Sequence, residues 1–447
     1  MIAMRGAGRT PSLVLAAAMA VGLQSTGFAQ NPLSTETFDA VWRTVRDSHF
    51  DSTFNGVDWE RVGRELRPTA AGAATPGQLR AVLQDMLGRL GQSHFAIIPG
   101  SADRVADAPR DAGGSLGFDV RLIGDSLVVT ELDSVGSAAA AGVQPGWKVL
   151  SVDGTEMRSV LTPLLESLNP RLLAVEAWRA AQMRLRGPAG SRARVAFEGA
   201  DRTPVTLELQ RVPERGEAVT VGSLPTMFVR VASEGRHTPG GRTAGLIRFN
   251  VWMTAVDPLF AKAVDDFREA DGIIVDLRGN PGGLAAMLMG ISGHFIDERR
   301  ALGVMKMREG EQLQFNVNPR RVNARGDRVA PFSGPVAILV DALTGSASEC
   351  FAGGMQSLGR ARVFGQPSMG QALPALFARL PNGDVLIYAY GDFVTADGTR
   401  LEGRGVIPDA IVPLDRGQLL AGRDRPLDAA LAWIDTVDRT AGTRTGQ

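Results

Sequence analysis

The residues with the clearest chemical potential lie around position 346. An apolar run at 336–340 leads through a short polar turn into TGSASE at 344–349. That order reads as a buried strand passing through small residues into a helix. Small neighbours let a carbonyl approach the Ser346 hydroxyl. The helix start aims free N–H groups and the positive end of its dipole at the same point. The arrangement suits an activated nucleophile and the oxyanion it creates. Ser346 to Glu349 also fits S-x-x-E, the capping box that opens an ordinary helix, and the two readings are compatible.

A second block, GIIVDLRGNPGG at 272–283, puts glycines directly after another apolar run, where they permit positive φ and close backbone approach. Its N–H groups can complete an oxyanion hole. A phosphate cradle is the rival, but neither G-x-G-x-x-G nor G-x-x-x-x-G-K-[ST] occurs. His94, in LGQSHF at 90–95, carries no weight alone and gains it only if the fold brings it to Ser346. His49, His94, His237 and His294 show no ligand spacing for zinc, so no metal site is expected. The single cysteine, Cys350, cannot form an intramolecular disulfide and reads as a small buried hydrophobe.

These groups need a scaffold, and 447 residues are too many for one small core, so two or three domains are expected. An apolar content of 44% and a charged content of 21% argue against disorder. Basic and acidic residues balance at 48 each, which leaves no net field for nucleic acid or an anionic membrane. At the N-terminus, Arg5 and Arg9, an apolar centre at 13–23 and Gly27-Phe28-Ala29 read as a secretory signal cut after Ala29. Its apolar run is too short to span a bilayer, and no other segment looks transmembrane.

Phe38, Val41, Trp42 and Val45, then Leu79, Val82, Leu83 and Met86, recur at helical spacing on either side of a small-residue break at 72–77. From Gly113 the period shortens to alternation, with strands near 118–122, 127–129 and 149–152, a helical interlude at 161–183, and strands at 193–197 and 205–209. Beyond that, strands at 244–249, 272–277, 336–340, 363–364 and 386–390 alternate with helices at 258–269, 284–296 and 348–358. Continuous apolar strands such as Ile273-Ile274-Val275 imply a sheet covered on both faces, an α/β core.

Taken together, GSASE, the DLRGNPGG block, GRARVFGQPSMG and LEGRGVIPD resemble the tail-specific, or C-terminal processing, family of serine peptidases. GGSLGFDV with AAAAGVQPGWKVLSVDG resembles the PDZ module that this family inserts before its catalytic core. The resemblance runs through the chain to about Trp433. It implies a multidomain α/β protein: signal peptide 1–29, helical N-terminal domain 30–104, PDZ-like β-rich module 105–212, peptidase core 213–436 and a tail 437–447.

Two branches of that family differ in the base. One uses a lysine twenty-five residues beyond the nucleophile, but that position holds Gln371, which cannot accept a proton. The tricorn-like branch uses a histidine from a Ser-His dipeptide oriented by a downstream glutamate. Ser93-His94 and Glu402 match that pattern. The resemblance therefore implies Ser346 as nucleophile, His94 as base, and Ser93 and Glu402 orienting it. A histidine base implies activity falling as pH drops through roughly 6 to 7. Oxyanion donors would be the N–H groups of Ala347 and of Gly282 or Gly283. Leu116, Gly117 and Phe118 would hold a peptide's free C-terminal carboxylate in a nest of N–H groups. The implied protein is an exported endopeptidase acting on unfolded or C-terminally exposed polypeptides, without metal or organic cofactor. The rivals are a catalytically inactive peptide-binding PDZ protein and a carrier of a small apolar ligand on the same fold.

Overall fold

The computed structural model describes residues 31–100, 113–168, 170–220 and 226–437. The expected leader at 1–29 and nearly all of the tail lie outside them. No helix among the described residues is long and apolar enough to cross a membrane.

The N-terminal unit holds helices α1 (Pro32–Ser48), α2 (Trp59–Ala71) and α3 (Pro76–Gly88). Each start is fixed by a side chain that accepts otherwise unpaired N–H groups. Asn31 Oδ1 caps α1, Asp58 Oδ1 caps α2, and Thr75 with Gln78 makes a capping box for α3. Phe38, Val41, Val45, Leu79, Leu83 and Met86 are buried between the helices, as their spacing predicts. The unit is not wholly helical. A strand β1 (Ala96–Ile98) pairs antiparallel with residues 385–387, and Leu380 and Leu386 from that distant hairpin complete the helices' core.

The second unit is an antiparallel sheet, β2 (Phe118–Ile123), β3 (Ser126–Leu132), β4 (Lys148–Val152), β5 (Arg192–Glu198) and β6 (Pro204–Gln210), neighbouring one another in that order. Between β4 and β5 the expected interlude is two helices, α4 (Met157–Ser167) and α5 (Pro170–Leu185). The backbone turns extended at Leu168, just before Pro170, whose fixed φ suits a new helix start.

The third unit is the α/β core. Its elements follow as β7 (Val231–His237), β8 (Thr243–Phe249), α6 (Val256–Asp266), β9 (Gly272–Asp276), α7 (Met287–Ser292), β10 (Arg300–Met307), β11 (Gln312–Val317), β12 (Val336–Val340), α8 (Ala347–Ser357), β13 (Arg362–Gly365), β14 (Ala375–Arg379), β15 (Val385–Ala389), β16 (Gly391–Thr395), β17 (Ala410–Ile411) and α9 (Arg425–Thr436). The main sheet runs β7-β8-β9-β12-β13-β17, parallel except for the edge strand β7. Ile273, Val275 and Ile338 face α6 and α8, while Ile274, Ala337 and Leu339 face α9. Both faces are thus covered, which is why these strands are apolar without alternation.

The helix expected over 284–296 is only the short α7. The strands β10, β11 and β16 form a separate sheet that the apolar pattern does not announce. A register shift between Ala301 and Val304 breaks the alternation of β10, and the first half of β11 is exposed. The second unit is tied to the core by ion pairs from Arg121 to Asp341 at 2.7 Å and from Arg248 to Glu131 at 2.8 Å.

Candidate functional site

Strand β12 ends at the core's centre, and Asp341 begins the turn that delivers Ser346 to the start of α8. Asp341 Oδ1 accepts the N–H groups of Leu343 and Gly279, so one carboxylate holds both the 341–346 turn and the glycine loop after β9. Ser346 has φ 53° and ψ −121°, a region that a residue with a Cβ enters only under constraint. Such strain is worth about 1–3 kcal/mol and persists where the surroundings enforce it. Here the Ser346 N–H donates to Gln371 O at 2.9 Å and to Glu349 Oε2 at 3.1 Å. The Ser346 carbonyl accepts from Glu349 and Cys350, the first turn of α8. Glu349 thus takes part in capping, as S-x-x-E suggests, while the turn also presents Ser346.

Gly282 lies against this turn, and Gly283 lies against Trp252. A Cβ at Gly282 would stand 2.6 Å from Ser346 Cβ and 2.9 Å from Ala347 N, and its φ of 101° excludes most side chains as well. The Gly282 N–H is taken by Asn280 Oδ1 at 3.0 Å. Asn280 also accepts Gly345 N–H through its carbonyl at 3.1 Å and donates Nδ2 to Phe249 O at 2.9 Å. Among the described residues, no protein acceptor takes the Gly283 or Ala347 N–H.

The second cluster comes from the opposite end of the chain. Glu402 Oε1 accepts Ser93 N–H at 2.8 Å and its Oε2 accepts the Ser93 hydroxyl at 2.9 Å. Ser93 Oγ lies 2.7 Å from His94 Nδ1. A hydroxyl has one proton, and here it goes to the carboxylate. Ser93 Oγ must then accept a proton from Nδ1–H, which assigns the tautomer and leaves Nε2 with its lone pair free. Glu402 therefore orients His94 through Ser93 and not by direct contact. Burial lowers the His94 pKa to about 4, well under the ordinary histidine range on which the expected fall at pH 6 to 7 rested.

The two clusters meet across the strap at 368–372. Its Gln371 carbonyl accepts Ser346 N–H, and the next residue, Ala372, donates its N–H to Glu402 Oε2 at 2.9 Å. No hydrogen bond joins His94 to Ser346 directly among the described residues. Leu116, Gly117 and Phe118 are elsewhere, in the second unit. There Gly117 N–H donates to Ser115 Oγ at 3.1 Å, and Leu116 O accepts from Ser137 Oγ at 3.1 Å. The roles of Asp341 and Asn280 carry no local sequence signal, and Glu349 shows only its capping half.

Residues 243–412 match the model of peptidase family S41, and residues 34–88 match that of the tricorn protease C1 domain. Residues 243–412 thus form a peptidase family S41 domain, and the chain is a serine-type peptidase. This peptidase is 25% identical over 385 residues to carboxyl-terminal-processing peptidase 2, chloroplastic, of Arabidopsis thaliana, covering 84% of this chain and 68% of that one. It is 26% identical over 413 residues to tricorn protease homolog 1 of Streptomyces coelicolor, covering 89% of this chain and 34% of that one. Its fold is that of the photosystem II D1 C-terminal processing protease, with a TM-score of 0.57 at 21% identity, covering 92% of this chain and 99% of that one.

In the peptidase, Gly282→Ala should cut turnover of a peptide by about 100-fold or more, since displacing a reacting group by about 1 Å costs that much. Peptide hydrolysis rates beside a thermal melt check this. A folded Gly282→Ala variant with the wild-type rate would show that the glycine loop does not bear on Ser346.

Proposed function

We propose that this serine peptidase works through Ser346 with His94 as its base, on polypeptides offered as extended or C-terminally free chains outside the cytoplasm. The observation that carries the reading is the hydrogen-bonded line from Glu402 through Ser93 to His94, joined to Ser346 by the Gln371–Ala372 peptide. In this reading Ser346 Oγ attacks the scissile carbonyl and its proton passes to His94 Nε2. The imidazolium gives its Nδ1–H to Ser93 Oγ and is stabilised by the Glu402 carboxylate beyond. The oxyanion accepts from Ala347 N–H and from Gly283 N–H, because the Gly282 N–H is already engaged by Asn280. Collapse breaks the C–N bond, and the proton on His94 goes to the leaving amine. Water then attacks the Ser346 ester with His94 again as base, releasing the acid.

The absence of lysine at 371 does not argue for an inert binding protein on this reading. The site uses the backbone of Gln371, its N–H and its carbonyl, so its side chain is dispensable. The second unit is read as a PDZ-like module that collects substrate. Export is supported by the basic and apolar pattern before Ala29.

Rates on one unfolded peptide test the mechanism. Ser346→Ala and His94→Ala should each lose about 10²–10⁴-fold or more in kcat/KM, the usual worth of a nucleophile's base. Gln371→Ala should stay within about 10-fold. Near-wild-type turnover by His94→Ala would remove the Ser–His reading. A titration of full-length Ser346→Ala tests the module: a peptide with a free C-terminus should bind more tightly than its C-terminal amide, because only the carboxylate can use a nest of N–H groups. Equal affinities would rule out carboxylate capture.

A further inference from the structure

We propose that Glu349 is a positioning residue for the nucleophile, and that its carboxylate locks the Ser346 turn to the 368–371 strap only while it is ionised. The proposal rests on Ser346 being the nucleophile. Glu349 is completely buried, and four groups donate to it. Oε1 accepts from Ser368 Oγ at 2.5 Å and from Gly370 N–H at 2.6 Å. Oε2 accepts from Gln371 N–H at 2.9 Å and from Ser346 N–H at 3.1 Å. Ser368 Oγ also accepts Val406 N–H at 2.7 Å, which leaves it one further lone pair.

Three of the four partners are N–H groups that can only donate, and a carboxylate takes all three together with the Ser368 O–H. A proton on Oε1 makes Ser368 Oγ the acceptor and turns the buried Ser368 O–H away from Glu349. A proton on Oε2 sets it against Gln371 and Ser346. Either way a buried donor loses its acceptor, and the strap or the turn is released. What is released matters for the reaction. Gln371 O holds the Ser346 N–H, and Ala372 N–H holds Glu402, so the strap sets the spacing between nucleophile and base.

The surroundings bias this group towards titration. No cation pairs with Glu349 among the described residues. Its neighbour Cys350 is a thiol that burial keeps neutral, and Asp392 and Glu402 add negative charge around that thiol. Asp392 is itself paired with Arg400 at 2.6 Å. The guanidinium of Arg171 lies on the far side of Gly370 and bonds Gly403 O. Burial pushes Glu349 up to about 7 against the pull of its four donors. Ionised Glu349 is the competent form, so activity falls as pH drops through that value. His94, held down to about 4, does not titrate in the same window.

The test is kcat and KM against pH, from about 5.5 to 9, for wild type, Glu349→Gln and Ser368→Ala, with thermal melts alongside. Wild type should show an acid limb near 7. Glu349→Gln, whose amide N–H₂ opposes the donors, should lose about 10-fold or more in kcat with KM within about 3-fold, and should show no limb in this range. Ser368→Ala removes one donor to the ionised form and should move the limb to higher pH. An unchanged limb in Glu349→Gln, or an unmoved limb in Ser368→Ala, overturns the proposal while leaving Ser346 as nucleophile. If Glu349→Gln does not fold, Ser368→Ala decides alone. Full activity in Ser346→Ala would instead overturn the nucleophile reading, and this proposal with it.

Discussion

Between residues 368 and 372 the backbone is hydrogen-bonded in two directions at once. On one side Gln371 O takes the N–H of the strained Ser346, and Glu349 gathers Gly370 and Gln371. On the other side Ala372 N–H is held by Glu402, which also fixes Ser93 and through it His94. Groups 252 positions apart in the chain (346 − 94) are thereby set against one another by a single peptide unit. A backbone strap of this kind has few soft dihedrals, so it transmits position better than a pair of long side chains would.

Strain at Ser346 follows from the same constraint. Ser346 is held at positive φ between a buried strand and the first turn of α8, and the glycine at 282 gives it room. Asp341 and Asn280 tie the glycine loop to the serine turn, so the two are held as one piece. Arg121 reaches that same Asp341 from the second unit at 2.7 Å, which seats the sheet that includes Phe118 directly on the catalytic core.

Much of this was legible in the amino-acid order, for reasons that differ by element. The strand Val336–Val340 is buried on both faces and therefore unbroken in its apolar run, so its bounds read directly. The helices of the first unit carry one apolar face and side-chain caps, both local signals. The strand Ala96–Ile98 was hidden because three residues show no period and its partner lies at 385–387. Sheet β10, β11 and β16 was hidden because a register shift and exposure blur its alternation. At the site, Ser346 was visible from its strand-to-helix context, whereas Ser93, His94 and Glu402 came from motif resemblance and never from spacing. Glu349 was visible only as a cap. Its bonds to Ser368, Gly370 and Gln371 join residues 19 to 22 positions away, beyond any local pattern.

The most direct measurement of the central claim is where a serine-directed acylating or phosphonylating reagent attaches. Wild-type protein treated with a fluorophosphonate, digested and mapped by mass spectrometry should carry one adduct, on Ser346. Strain, the helix start and the N–H groups of Ala347 and Gly283 are the grounds for expecting the adduct there. An adduct on Ser348 or Ser93, or none on folded protein, would contradict the account.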